Sequence, residues 1–342
     1  MTPVRAVLPP LAEPVRRAVV VPALDAADTL PACLARVLTE LDADDEVVVA
    51  AGDAASAAAA RAIDDPRLRV VDNPRGSTPV ALNLAIAATT AEVVVRVDSH
   101  ALLPAGYVDR VTELLRTSGA ANVGGRQVPS AERGFGAAVA RAMSSRIGSG
   151  GAAYRHAGAV REVDTVYLGA FRRSALDAVG GYDERFVRNQ DAELNLRLRR
   201  AGHAVLLDPT LEVGYRPRTS VGGLWRQYLG YGRWRRATAR AHPGALSPRQ
   251  LAAPALVVGL AAALVLGAIG LAGVPLVLGP LGPVGPAVPV ALVAGGYGAL
   301  VLLGAAVASR DRPGTTPAVA LALVTMHLAW GVGFLLGPPR DR

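Results

Sequence analysis

Val93-Val94-Val95-Arg96-Val97-Asp98-Ser99-His100 sets a β-branched run against two side chains that can bind a metal. An apolar run of this kind marks a strand covered on both faces, as in parallel sheets flanked by helices. In open α/β sheets ligands bind at the carboxyl ends of the strands, so Asp98 and His100 arrive at the binding edge. A carboxylate and an imidazole two residues apart can share one divalent ion and leave positions for water and diphosphate oxygens. The nitrogen donor tilts the preference from magnesium toward manganese. The plainer alternative is that Asp98 caps the next turn and His100 is an ordinary surface polar residue.

Outward from this stretch, β-branched runs predict strands near 18–22, 46–50, 68–71 and 93–97, with helices near 29–41, 54–63, 78–89 and 190–201. Alternation of this kind reads as an α/β domain. Pro31 sits in the first turn of its helix, where a missing N–H costs little. The second strand ends in Ala51-Gly52-Asp53. Asp53 either accepts from a nucleobase N–H or caps the helix that starts at Ala54. The first strand exits through Pro22-Ala23-Leu24-Asp25 without a glycine, which argues against a dinucleotide fingerprint. Asn189 to Gly202 reads as a helix that opens with acids and closes with arginines. That order complements the helix dipole. Asp191, at its start, can also project into a cleft as a carboxylate base. Gly148 to Gly151 and their neighbours lack periodicity and read as a flexible loop long enough to act as a lid.

All 36 basic residues are arginine, which removes P-loop lysine and Schiff-base chemistry. The single cysteine, Cys33, makes no intrachain disulfide and reads as core filler. The 342 residues are 51% hydrophobic and 19% charged, with net charge +8, so disorder is excluded. After Gln250 the chain carries uncharged stretches at 251–272, 287–308 and 317–337, each long enough to cross a hydrocarbon core of about 30 Å. The Pro- and Gly-rich stretch 274–286 reads as a loop, a re-entrant piece or half of a fourth crossing. No acidic residue lies between Glu212 and Asp311, whereas eight arginines fall between Arg216 and Arg249. This collar suits anionic headgroups better than nucleic acid, and by the positive-inside rule it puts the N-terminal domain in the cytoplasm. Three crossings then leave Arg340 and Arg342 on the far side. The expected organisation is an extension at 1–17, an α/β domain at 18–212, a basic juxtamembrane segment at 213–249 and a membrane region at 250–338. Ala18 to Leu24 is too short for a signal-peptide core.

Taken together, several stretches resemble the family 2 glycosyltransferases with a GT-A fold, most of all the membrane-anchored group active in succinoglycan biosynthesis. They are Val-Pro-Ala-Leu at 21–24, Gly52-Asp53, Asn73-Pro74-Arg75-Gly76, Arg96 to Ala101, Val163 to Val166, Gly169-Ala170-Phe171-Arg172-Arg173, Gly180 to Glu184 and Gln190 to Asn195. Their order spans about residues 18–240, with Met326 to Gly331 continuing the likeness.

The resemblance implies a UDP-sugar donor held by Pro22, Leu24, Asp25, Asp53, Arg75 and Asp98. It implies Mn2+ or Mg2+ at Asp98 and His100, Asp191 as catalytic base, and an acceptor near Gly169, Ala170, Gln190 and Trp234. His100 stands where the family has a second acid, and Gln190 stands where Glu is common. The expected reaction is a single inverting transfer of a hexose to a lipid-linked saccharide at the cytoplasmic membrane face, with membrane lipid and no nucleic acid as partner. Processive synthases carry Gln-X-X-Arg-Trp, whereas here five residues separate Gln227 from Arg233-Trp234. The rival readings are a nucleotidyltransferase and a non-catalytic nucleotide-sugar sensor or scaffold.

Overall fold

The computed structural model describes residues 8–150, 158–277 and 283–338. The chain divides into two compact units, residues 1–128 with 153–215, and residues 129–152 with 216–342.

In the first unit β1 (Arg17–Ala23), β2 (Glu46–Ala51), β3 (Leu68–Asp72) and β4 (Val93–Arg96) run parallel in the order β3-β2-β1-β4. Helices α1 (Leu30–Leu38), α2 (Ala54–Arg61) and α3 (Thr78–Ala87) connect them. Successive side chains of a strand point to opposite faces, and both faces here are covered. Val19, Val21, Val47, Val49, Val93 and Val95 join Leu30, Cys33 and Leu34 in one core layer. Val20, Val48 and Val94 join Leu82, Leu194 and Leu198 in the other. Each fully buried Val or Leu contributes roughly 1.5–3 kcal/mol. The two layers explain why these strands read as continuous apolar runs. Cys33 is part of that packing, and burial pushes its thiol up to about 12.

Beyond β4 the sheet is mixed and includes antiparallel pairs. Helix α4 (Tyr107–Ser118) lies between Gly106 and Gly119, both left-handed, and leads into β5 (Asn122–Pro129). The chain passes to the second unit through α5 (Gly134–Ser144) and α6 (Arg146–Ser149). It returns as β6 (Arg161–Glu162), β7 (Tyr167–Arg172), α7 (Arg173–Ala178), α8 (Gln190–Arg200) and β8 (Val205–Tyr215). The sheet continues β4-β7-β5-β8-β6, with β7 antiparallel to both β4 and β5. A bulge shifts the β5–β7 register between Val123 and Gly125. The buried Tyr107 hydroxyl serves its buried backbone groups, donating to the Leu168 carbonyl at 2.7 Å and accepting from the Gly125 N–H at 3.2 Å.

In the second unit α9 (Val221–Ala241) is followed by α10 (Ala252–Leu271), α11 (Gly296–Ala308) and α12 (Thr316–Leu336). Three helical stretches, Pro248–Leu271, Val288–Ala308 and Pro313–Leu336, are long and apolar enough to cross a membrane. Large apolar side chains such as Val258, Leu264, Leu292 and Leu303 stand exposed on them. That exposure suits lipid rather than water. A π-helical turn at Ala291–Gly295 precedes α11. Among the described residues between the first two spans, β9 (Leu276–Val277) pairs antiparallel with β10 (Pro283–Val284). The prolines of this stretch deny a helix the N–H groups it needs.

Glycines set the spacing of these helices. A Cβ at Gly232 of α9 would strike the Trp330 carbonyl of α12, and one at Gly333 would strike the Leu229 carbonyl of α9. Gly331 abuts Ala253 of α10 in the same way. Small residues at helix contacts let backbones approach closely and gain dispersion contact. The loop expected around Gly148 is partly helical, because the Ser145 hydroxyl caps α6 by accepting from the Gly148 N–H at 3.0 Å. Residues 151–157 of that expected loop, and Arg340 and Arg342, lie outside the described residues.

Candidate active site

The carboxyl ends of β1, β2 and β3 lie close together. A Cβ on Gly52 would come within 2.9 Å of the Leu24 side chain and 3.3 Å of the Gly76 Cα, so the strand ends are packed closely there. Asp53 follows and caps α2. Its Oδ1 accepts from the Ser56 N–H at 2.8 Å, and its Oδ2 accepts from the Ser56 hydroxyl at 2.7 Å and from the Asp25 N–H at 2.9 Å. These donors, the Ser56 hydroxyl foremost, hold its carboxyl below the usual range. The Ala55 N–H adds a further backbone hydrogen bond to the same carboxylate. Pro22 is buried at the end of β1, whereas Leu24 and Asp25 are exposed beyond it. Arg75 is exposed and pairs with Glu184 at 2.5 Å.

At the end of β4 the side chains of Asp98 and Asp191 meet through one guanidinium. Arg96, buried to 6% exposure, donates to Asp98 Oδ1 from Nη2 at 2.8 Å and from Nε at 3.1 Å, and its Nη1 pairs with Asp191 Oδ1. Burial works against the charge on Arg96, but Asp191 and Asp98 outweigh it and raise its pKa well above the usual value. The Tyr182 hydroxyl lies 3.4 Å from the same Asp191 oxygen. Burial, with Asp98 adding to it and Arg96 opposing, pushes the Asp191 carboxyl up. Asp191 is therefore a carboxylate with more affinity for a proton than an ordinary surface aspartate has.

Sequence reasoning missed Arg96 and Tyr182 as site residues. The signal for Arg96 was present, since a charge inside a valine run has to be paired when the strand is buried. Also missed was a buried amide ladder behind Asp191. Asn122 Nδ2 donates to Asn195 Oδ1 at 2.6 Å, and Asn195 Nδ2 donates to the Thr165 hydroxyl at 2.9 Å. Asn195 lies one helical turn after Asp191, so the two share a face of α8. This ladder fixes the rotation of the helix that carries Asp191. Among the described residues three non-glycine residues adopt left-handed φ, namely Asp25, Leu168 and Asn189. All three stand next to named site residues, where strained backbone tends to collect.

Other expected site residues are placed as follows. His100 is exposed just past Asp98, and Gln190 is half-buried as the first residue of α8. Gly169 and Ala170 are buried within β7, where a Cβ on Gly169 would meet the Asn122 side chain. Trp234 is on α9 of the second unit, half-buried. Among the described residues no three His, Cys, Asp or Glu side chains are grouped to hold a metal by themselves. Both Arg96 bonds to Asp98 fall on Oδ1. The donor set at this edge therefore fits a cation that takes its remaining ligands from a bound diphosphate.

Residues 18–180 match Glycosyl transferase family 2. The chain is 32% identical over 325 residues to the succinoglycan biosynthesis protein ExoA of Rhizobium meliloti (strain 1021), covering 92% of this chain and 93% of that protein. The chain belongs to glycosyl transferase family 2. This glycosyltransferase also shares its fold with a mannosyltransferase from Pyrobaculum calidifontis solved in complex with GDP-Man and Mn2+. That likeness has a TM-score of 0.60 at 21% identity, over 94% of this chain and 89% of the other.

Proposed function

We propose that this glycosyltransferase moves a single hexose from a UDP-sugar to a lipid-linked saccharide, with inversion, at the cytoplasmic face of a membrane. The product would belong to exopolysaccharide or cell-envelope glycan synthesis, as the succinoglycan relative suggests. The observation that carries this reading is the Arg96 clamp, which gathers Asp98 and Asp191 at one sheet edge. Asp98 serves the donor side and Asp191 the acceptor side. Asp191 takes the proton from the acceptor hydroxyl as that oxygen attacks the anomeric carbon, and the bond to the diphosphate breaks on the opposite face. One such displacement inverts the centre. The raised proton affinity of Asp191 suits this work, and Tyr182 and Arg96 hold its carboxylate in place.

A divalent cation, Mn2+ as in the archaeal neighbour or Mg2+, would be held by Asp98 with His100 beside it and would supply positive charge to the departing diphosphate. Asp53 is assigned to the N–H of a uracil, and Arg75 carries positive charge at the neighbouring strand end. Gly169, Ala170, Gln190 and Trp234 are assigned to the acceptor. The five-residue gap between Gln227 and Arg233-Trp234 supports single transfer over processive synthesis.

The test is release of UDP by purified full-length enzyme, given a panel of UDP- and GDP-sugars and extracted lipid-linked saccharides, with and without Mn2+. Release that needs both acceptor and metal, together with a product of inverted linkage, is expected. Pyrophosphate release from a nucleoside triphosphate would replace the reading with nucleotidyl transfer. Stoichiometric donor binding without turnover on any acceptor would replace it with a binding protein.

A further inference from the structure

A recess of about 400 Å³ opens in the second unit, at the end of the span Val288–Ala308. Ala137 and Ala140 of α5 and Ala308 of α11 give it small apolar walls, and Arg141, Ser144 and Arg312 line its polar side. Arg141 is already committed, since it grips both carboxylate oxygens of Asp311. Those hydrogen bonds lower the Asp311 carboxyl to about 2, so the pair stays ionised and neutral overall. Arg312 is exposed and is left as the surplus charge. With two arginines and one aspartate, the polar side carries one net positive charge. Along the last turns of α11 before it, Leu300, Leu303 and Val307 stand 51%, 66% and 62% exposed. Their spacing of three and four puts them on one helical face, which ends at Val307, the residue before Ala308.

We infer that this recess binds the headgroup of an anionic glycerophospholipid, with the phosphodiester on Arg312 and the Ser144 hydroxyl and an acyl chain along Leu300, Leu303 and Val307. The charge selects the ligand. A phosphodiester carries one negative charge and is matched by the single surplus arginine, whereas a polyprenyl phosphate or diphosphate carries more and would leave charge unmatched. A headgroup at the bilayer boundary also retains water on its outer side, which suits an open recess.

The inference rests on the three spans lying in a bilayer, and the experiment separates the two claims. Carbonate washing of membranes that contain the full chain tests the spans, and release into the wash would remove the membrane reading. Retained protein is then purified in detergent with mixed phosphatidylcholine and phosphatidylglycerol and examined by native mass spectrometry. One phosphatidylglycerol per chain, in preference to phosphatidylcholine, is expected. Arg312→Gln should lower that occupancy roughly five- to ten-fold, in line with about 1 kcal/mol per surface arginine and somewhat more in a recess. Arg312→Lys should retain most of it. Ser144→Trp, at an exposed position, should fill the recess and exclude the lipid, with thermal unfolding confirming that all three variants fold. Equal retention of the two lipids, or no effect of Arg312→Gln, would overturn the inference. Displacement of phosphatidylglycerol by polyprenyl phosphate in an Arg312-dependent manner would overturn it in favour of an acceptor site.

Discussion

In the first unit the interior holds Arg17, Arg96, Glu193 and Asp208, each bonded to a partner, whereas the second unit brings its helices together at Gly232, Gly331 and Gly333. With the three apolar stretches in a bilayer, as proposed above, the contrast follows from what surrounds each unit. Where water drives burial of apolar surface, a few buried charges can be carried if every one is paired, and the pairing fixes geometry that an apolar core would leave loose. Where the surroundings are themselves apolar, burial gives little between helices, and close backbone approach has to supply the attraction. Precision in the first unit is therefore polar, and in the second it is steric.

Substitutions can break this contrast, beginning with the largest effect. Asp191→Asn should lower turnover by about 100- to 10,000-fold while the protein stays folded, read as UDP release beside a thermal melt. Turnover within a few-fold of the parent would remove Asp191 from the role of base. Arg96→Leu should cost about 3–5 kcal/mol, because two carboxylates are left without their shared partner. Chemical denaturation measures this, and Arg96→Lys should recover only part, since an ammonium cannot reproduce the fork. Gly333→Leu should cost roughly 1–3 kcal/mol or more by forcing α9 and α12 apart. The same change at exposed Gly314, where an added Cβ meets nothing, should be nearly silent. Asn195→Leu, which orphans the Asn122 and Thr165 partners, should cost about 1–3 kcal/mol and lower kcat more than it changes donor KM.

The smallest effect is in pH. A base works only when ionised, and the Asp191 pKa is raised, so kcat should fall with decreasing pH at a value above the ordinary aspartate range near 3.9. Arg96→Gln should move that limb higher still, because the guanidinium opposes the rise. A limb that stays in place would show that Arg96 does not act on the base.

The parallel half of the sheet was readable almost to the residue, because Val19–Val21, Val47–Val49 and Val93–Val95 are covered on both faces and leave unbroken runs. The antiparallel half was not. β5 begins Asn122-Val123-Gly124-Gly125, with a bulge that breaks alternation, and β7 is Tyr-Leu-Gly-Ala-Phe-Arg, whose small residues serve close packing and carry no period. Helix α4 also went unread, although Gly106 and Gly119 frame it. At the site, Asp98 and Asp191 could be named from their strand-end and helix-start positions. The residues that join them could not, since Arg96 and the Asn122–Asn195 ladder act through contacts between segments far apart in the chain. Asp53 had two readings on sequence grounds, and the structure displays the cap.

The glycine seam between α9 and α12 also has a temporal side. Gly232 leaves the ribosome about a hundred residues before Gly333, roughly 5–20 s earlier at ordinary elongation rates. Throughout that interval α9, with its tryptophans and arginines, has no α12 to lie against. The nascent chain must therefore park this helix elsewhere, on a lipid surface or a chaperone, until synthesis of the last span lets the seam close.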